Sequence, residues 1–416
     1  MKKYILLIFI YSICLANAQL SKDISLIFNE SVREYNNKNY QSALLLIDSV
    51  LLHAQNEHTF NLKGAILFAM DSASLAEWYF RKAIELDSSS IEYRENLVQS
   101  LMKQKKFDES IDEINKIIKI DPEKSSTYYS RGVLHSEKKD YQKAIADFSA
   151  AINLSPNNPN YYQARAEVYY LIAEYQRALS DISQSIKLNP DQISNLRLRA
   201  FILSQLNNYK DALSDFNKYL QSSPNDKDAL LGRAIALYET GKKIDALSDL
   251  DKVIEQNSVN ENALLNRAAI YFELEMYDRA LSDYDKVLQI NPLNFNANFG
   301  LGEIFFEKNE FEKALAYYYK AIDISRDNSN LFIKAGNAEY NLKNYSKAVD
   351  NFSRALSINS NQPQVFFNRA LAYKMLGQNE NAINDFSEFI KIAKNLPELS
   401  SYKEKAEKEI KQLKSK

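Results

Sequence analysis

In residues 141–154 Tyr141, Ile145, Phe148 and Ile152 are large and apolar, at intervals of three and four that lay one stripe along a helix. Residues 125–137 carry a second apolar block, and the polar stretch between them is short enough for a tight turn. The unit at 125–158 is therefore read as a pair of short amphipathic helices. The same pattern recurs along almost the whole chain. With Ser125 as position 1, the small residue at position 20, Ala144, returns every 34 residues as Ala178, Ala212, Ala246, Ala280, Ala314, Ala348 and Ala382. Backward it is Ser110, Ala76 and, after a step of 33, Ala43. A fixed period of this length predicts stacked helical hairpins that bury their apolar faces on one another.

The repeats begin at Ile24, Glu57, Ile91, Ser125, Pro159, Ile193, Lys227, Glu261, Phe295, Ser329 and Pro363, eleven in all, and end near Leu396. The first is the most degenerate, with Ser31 at position 8 and Ile47 at position 24, as suits a unit with one neighbour. Each recurring position has a steric reason. Position 20 is alanine or serine and position 8 is small in most repeats (Gly64, Gly132, Gly302 and Gly336 among them), because two helices cross there. Position 24 is always large and apolar, as in Phe80, Phe148, Phe216 and Tyr318, and fills the space the small residues leave. Pro122, Pro156, Pro190, Pro224 and Pro292 fall at position 32, while Pro159, Pro363 and Pro397 open a following helix, where a missing N–H does no harm. Beyond Leu396, the residues Tyr402, Ala406, Ile410 and Leu413 share one helical face, which predicts a helix capping the last repeat over 397–416.

The repeat overrules the two or three domains that 416 residues would otherwise suggest. A formal charge of −2 argues against nucleic acid, which calls for a clustered basic face. Lys2 and Lys3, an apolar run over 4–15 and Ala16-Asn17-Ala18 read as a secretory signal peptide, residues 1–18, cut before Gln19. Twelve apolar residues are too few to span a bilayer. Cys14 is the only cysteine, so after cleavage packing alone holds the fold. No later stretch is apolar enough to cross a membrane, and the expected location is the periplasm or the cell exterior.

Small residues at positions 8 and 20, an aromatic at 24, a small residue at 27 and proline at 32 are met by Gly132, Ala144, Phe148, Ala151 and Pro156. This pattern closely resembles the tetratricopeptide repeat, over about nine-tenths of the chain. The resemblance implies an all-α, right-handed α-solenoid over 19–396, whose first helices line a concave groove. Position 17 departs from the family's aromatic at Ala73, Lys243 and Asn379, and position 32 departs from proline at Ser88, Ser258, Arg326 and Ser360.

Position 7 is arginine in six repeats (Arg131, Arg165, Arg199, Arg233, Arg267, Arg369), and position 23 is aspartate in the same six (Asp147, Asp181, Asp215, Asp249, Asp283, Asp385). Leu301 and Ala335 replace the arginine where Tyr317 and Asn351 replace the aspartate, which predicts an ion pair within each repeat. Its role is register rather than ligand binding, since partly buried pairs lose heavily to desolvation. His53, His58 and His135 form no cluster with metal spacing, no cysteine remains for nucleophilic chemistry, and the glycines sit in repeat phase rather than in a phosphate loop. No enzyme, metal or cofactor is expected.

By the resemblance, positions 2, 5, 9 and 12 face the groove. They hold an apolar stripe, Tyr170, Phe201, Leu231, Ile235, Tyr238, Leu265, Phe272, Phe299, Phe306, Ile333, Tyr340 and Phe367, interrupted by Glu167, Arg197, Glu303 and Asn337. An exposed apolar run marks a binding surface for a protein or peptide segment. The competing possibility is that superhelical coiling buries the stripe between first helices. The family's grip on a C-terminal carboxylate needs lysine at position 5 and asparagine at 9; no position 5 is lysine and only Asn337 is asparagine at 9. The expectation is a bacterial envelope interaction scaffold. The alternatives are a spacer or self-associating rod, and an adaptor regulating an envelope enzyme or secretion complex.

Overall fold

The computed structural model describes residues 22–415, and the expected leader, residues 1–18, lies outside them. The described residues form two compact units, one ending at Leu206 and one beginning at Asn207. The first contains α1 Lys22–Asn36 with α2 Tyr40–Leu51, α3 Glu57–Ala69 with α4 Ala73–Leu86, α5 Ile91–Lys103 with α6 Phe107–Ile120, α7 Ser125–Glu137 with α8 Tyr141–Leu154, α9 Pro159–Leu171 with α10 Tyr175–Leu188, and α11 Ser194–Gln205. The second contains α12 Tyr209–Ser222, α13 Lys227–Glu239 with α14 Lys243–Gln256, α15 Glu261–Glu273 with α16 Tyr277–Ile290, α17 Phe295–Glu307 with α18 Phe311–Ile324, α19 Ser329–Asn341 with α20 Tyr345–Ile358, α21 Pro363–Met375 with α22 Asn379–Ile392, and α23 Ser400–Lys414. Each is an all-α stack of antiparallel hairpins, the solenoid arrangement the period predicts.

Local chemistry sets the helix ends. Ser90, Asn158, Asp226, Asn260, Asn294 and Asn328 sit one residue before a first helix, and each side chain accepts a hydrogen bond from a first-turn N–H. At the turn between the two helices of a hairpin, position 15 is left-handed: φ is 63° at Lys139, 60° at Ala173, 81° at Gly241 and 63° at Lys343. The next N–H reaches back to the carbonyl of position 11, as Asp140 does to His135 at 2.8 Å, which stops the first helix and reverses the chain.

The crossing is as tight as the small residues imply. A Cβ added to Gly132 would lie 2.6 Å from the Phe148 ring, and one added to Gly336 would lie 2.6 Å from the Phe352 ring. Phe148, Phe216, Tyr318, Phe352 and Phe386 are fully buried. At the C-terminal end, α23 lays Ala406 and Leu413 on Phe386, Phe389 and Ala393. Lys374 also reaches Glu409 at 2.6 Å.

Candidate functional site

All five arginine–aspartate pairs that fall within one unit form. Arg131 donates through Nε and Nη2 to the two carboxylate oxygens of Asp147, at 2.9 and 2.7 Å. Arg165–Asp181, Arg233–Asp249, Arg267–Asp283 and Arg369–Asp385 repeat this fork at 2.7–2.9 Å. Arg199 and Asp215 belong to different units. The remaining guanidinium nitrogen makes a contact that the repeat pattern did not reveal. Nη1 reaches position 25 of the preceding repeat: Asn115, Ser149, Asn217, Asp251 and Ser353 accept from Arg131, Arg165, Arg233, Arg267 and Arg369 at 2.6–2.9 Å. Each arginine therefore braces three helices and joins one hairpin to the one before it. In residues 91–124 the job passes to position 4, where Arg94 donates to Glu113 at 2.6 Å. These guanidinium groups are committed to their own chain, as a role in register requires.

The apolar stripe lies on the first helices, and several successive first helices touch, as α3 does α5 and α15 does α17. Ten of the twelve predicted residues are half-buried: Tyr170, Phe201, Leu231, Tyr238, Leu265, Phe272, Phe299, Phe306, Ile333 and Tyr340. Ile235 is 36% exposed. Phe367 departs from the expectation: it is 3% exposed, with its ring centroid 5.2–5.4 Å from those of Phe386, Phe389 and Tyr402. The pattern of the last repeat matches that of the middle ones, but α23 covers it and turns a wall position into core.

Half-burial at position 12 has a specific cause. The ring at position 12 packs on the ring at position 17, across the turn of the same hairpin. Tyr170–Tyr175, Phe272–Tyr277, Phe306–Phe311 and Tyr340–Tyr345 have centroids 5.3–5.8 Å apart. Where position 17 is Lys243, the ring contact is replaced: Tyr238 donates its hydroxyl to Glu273, which Lys243 also reaches at 2.9 Å. One edge of each of these five position-12 side chains is thus held, and each stays half-buried.

Burial pushes the Tyr170 and Tyr340 hydroxyls up from the usual tyrosine value. Tyr238 is pushed up to about 12, first by its bond to Glu273 and then by burial. Glu167 keeps its edge open to solvent but is walled in by protein, which raises its carboxyl pKa despite the Gln163 amide bound to it. Glu303 is paired with Lys334 at 2.5 Å.

Two pockets open on this face of the second unit. The larger, about 160 Å³, is lined by Phe306, Asn337, Tyr340, Phe352, Asn368 and Leu371, with Asn341 at its edge. The smaller, about 70 Å³, is lined by Ile235, Tyr238, Leu250, Asn266, Ala269 and Ile270, with Ala234. Among the described residues no group of His, Cys, Asp and Glu could hold a metal ion, and no helix is long and apolar enough to cross a membrane.

Family models described as tetratricopeptide repeats match residues 91–124, 125–158, 173–231, 231–293, 265–329 and 363–396, and one described as a TPR repeat matches 336–377. Three of these begin at a repeat boundary read from the sequence: Ile91, Ser125 and Pro363. No curated protein sequence matches the chain. Among solved structures, a tetratricopeptide repeat protein from Parabacteroides merdae is 21% identical and aligns over 60% of this chain and 98% of its own, with a TM-score of 0.46. Yeast Tom70 is 15% identical over 95% of this chain and 96% of its own, at 0.40. YrrB, described as a TPR protein with an unusual peptide-binding site, is 23% identical over 44% and 95%, at 0.41.

Proposed function

Since the chain belongs to the tetratricopeptide repeat family, we propose that it is a non-enzymatic scaffold of the bacterial envelope that holds a partner protein's segment against its first helices. Repeats of this family build protein-interaction scaffolds and bind protein or peptide partners. The observation that carries the reading is the stripe itself, whose position-12 rings are packed on the rings at position 17 and remain half-buried rather than buried. Rings fixed before the partner arrives lower the ordering cost of binding, which then falls mainly on the partner. The basic, apolar and small-residue order of residues 1–18 supports export to the periplasm or beyond.

The rival is a self-associating rod whose stripe pairs with a second copy, and the same half-buried rings favour it. Sedimentation velocity over a wide concentration range separates the two. The scaffold reading expects a monomer throughout. Association that grows with concentration and is abolished by Phe272→Glu would replace it with the rod.

A further inference from the structure

The larger pocket is a built feature. Phe352, fully buried, forms its floor, and Phe306, Tyr340 and Leu371 form its apolar walls. Two of those walls are locked from behind, Phe306 by Phe311 at 5.4 Å and Tyr340 by Tyr345 at 5.3 Å between centroids. The rim is amide. Asn368 donates to the Asn337 side-chain oxygen at 3.1 Å, and Asn341 donates to the Asn337 backbone carbonyl at 2.9 Å. The side-chain oxygen of Asn368 and the side-chain nitrogen of Asn337 keep hydrogen-bonding capacity, one as acceptor and one as donor.

No charged residue lines the pocket. The charges one turn away on α17 and α21 are already neutralised, Glu303 by Lys334 and Lys374 by Glu409. A charged side chain entering here would lose water and find no counter-ion, whereas an aliphatic one meets three apolar walls. The volume suits it: an apolar cavity of roughly 150 Å³ holds a guest the size of benzene. Part of this lining recurs three repeats earlier, where Tyr238, Asn266 and Leu250 stand at the positions of Tyr340, Asn368 and Phe352 around less than half the volume, with Ile235 in place of Asn337 and Ala269 in place of Leu371.

We propose that the pocket bounded by Phe306, Asn337, Tyr340, Phe352, Asn368 and Leu371 is a specificity subsite that takes one uncharged aliphatic side chain of the partner segment. The amide rim serves the main-chain N–H and C=O that flank that side chain. This rests on the groove reading and names its anchor.

Saturation-transfer difference NMR on the protein tests it, with the N-acetyl amides of leucine, aspartate and lysine as probes. The leucine probe should be saturated several-fold more strongly than the other two. Leu371→Trp, which fills the pocket from its own wall, should remove that signal. Asn337→Asp, a milder change at the rim, should weaken the leucine signal and raise the lysine one. Equal saturation of the three probes, or a leucine signal that survives both substitutions, overturns the subsite. A photo-crosslinker at Phe272, two repeats away, reports on the groove separately. An adduct there without leucine selectivity removes the subsite and leaves the groove; no adduct there removes the groove reading.

Discussion

Residues 227–294 and residues 295–362 are adjacent pairs of hairpins in one unit, built on the same crossing and finished differently. In the first pair, Arg233 and Arg267 fork onto buried Asp249 and Asp283 and reach back to Asn217 and Asp251. In the second pair both arginines are gone. Tyr317 stacks on Phe305 instead, with centroids 5.6 Å apart and planes 8° from parallel. In the next hairpin, Asn351 donates to the Tyr319 hydroxyl, and Asn344 donates to buried Glu339. Asp285, where the arginine of the next repeat would bind, is left with burial raising its carboxyl pKa. Two jobs are thus separate in this fold. Small and large residues at positions 8, 20 and 24 make the hairpin, and the polar layer then sets how firmly each hairpin is tied to the one before it. The larger pocket lies beside the two hairpins that lack the arginine fork, where Lys334–Glu303 is the ionic tie between α19 and α17.

The largest effect should come from cutting a brace. Arg267→Ala leaves Asp283, 2% exposed, without its fork and should cost about 3–5 kcal/mol in urea denaturation. A loss well under 1 kcal/mol would mean that the brace is ornamental. Next comes the crossing that both regions share. Gly302→Ala drives a methyl toward the Tyr318 ring and should cost about 1–3 kcal/mol, with no arginine involved.

Transplanting the brace sharpens the contrast further. Leu301→Arg alone puts a guanidinium at a fully buried position and should destabilise. Adding Tyr317→Asp should recover part of the loss, a coupling of about 0.5–3 kcal/mol in a double-mutant cycle. Strictly additive single effects would show that the pairing seen elsewhere depends on more than these two residues. The smallest effects belong to the turns. Gly241→Ala should cost about 1 kcal/mol and Lys343→Gly should gain less than that, because both positions are left-handed and only one already has glycine. Thermal denaturation of the two variants checks the opposite signs.

The hairpins were legible because their constraints are steric, and steric constraints leave a fixed residue type at a fixed place: Ala144, Phe148 and their equivalents. The arginine–aspartate pairs were legible because the two residue types appear and disappear together at positions 7 and 23. The second bond of each arginine was hidden because Asn115, Ser149 and Asp251 are interchangeable as acceptors, so position 25 shows a property rather than a letter. The rings at positions 12 and 17 were visible one by one, but their contact depends on the left-handed turn at position 15, where glycine stands in only two hairpins. Phe367 was misplaced for a different reason: whether a wall residue is open at the end of the stack depends on the segment that covers it, and α23 is outside the period.

On the scaffold reading, the stripe meets a partner. Photo-crosslinking in the producing cell tests this without an intermediary, with one probe replacing Phe272 on the first helix α15 and a control replacing Lys286 on the outer helix α16. Adducts would be identified by mass spectrometry. The expected result is a discrete adduct with another protein at position 272 and none at 286. Adducts between two copies at 272, or none at either position, would refute the scaffold reading.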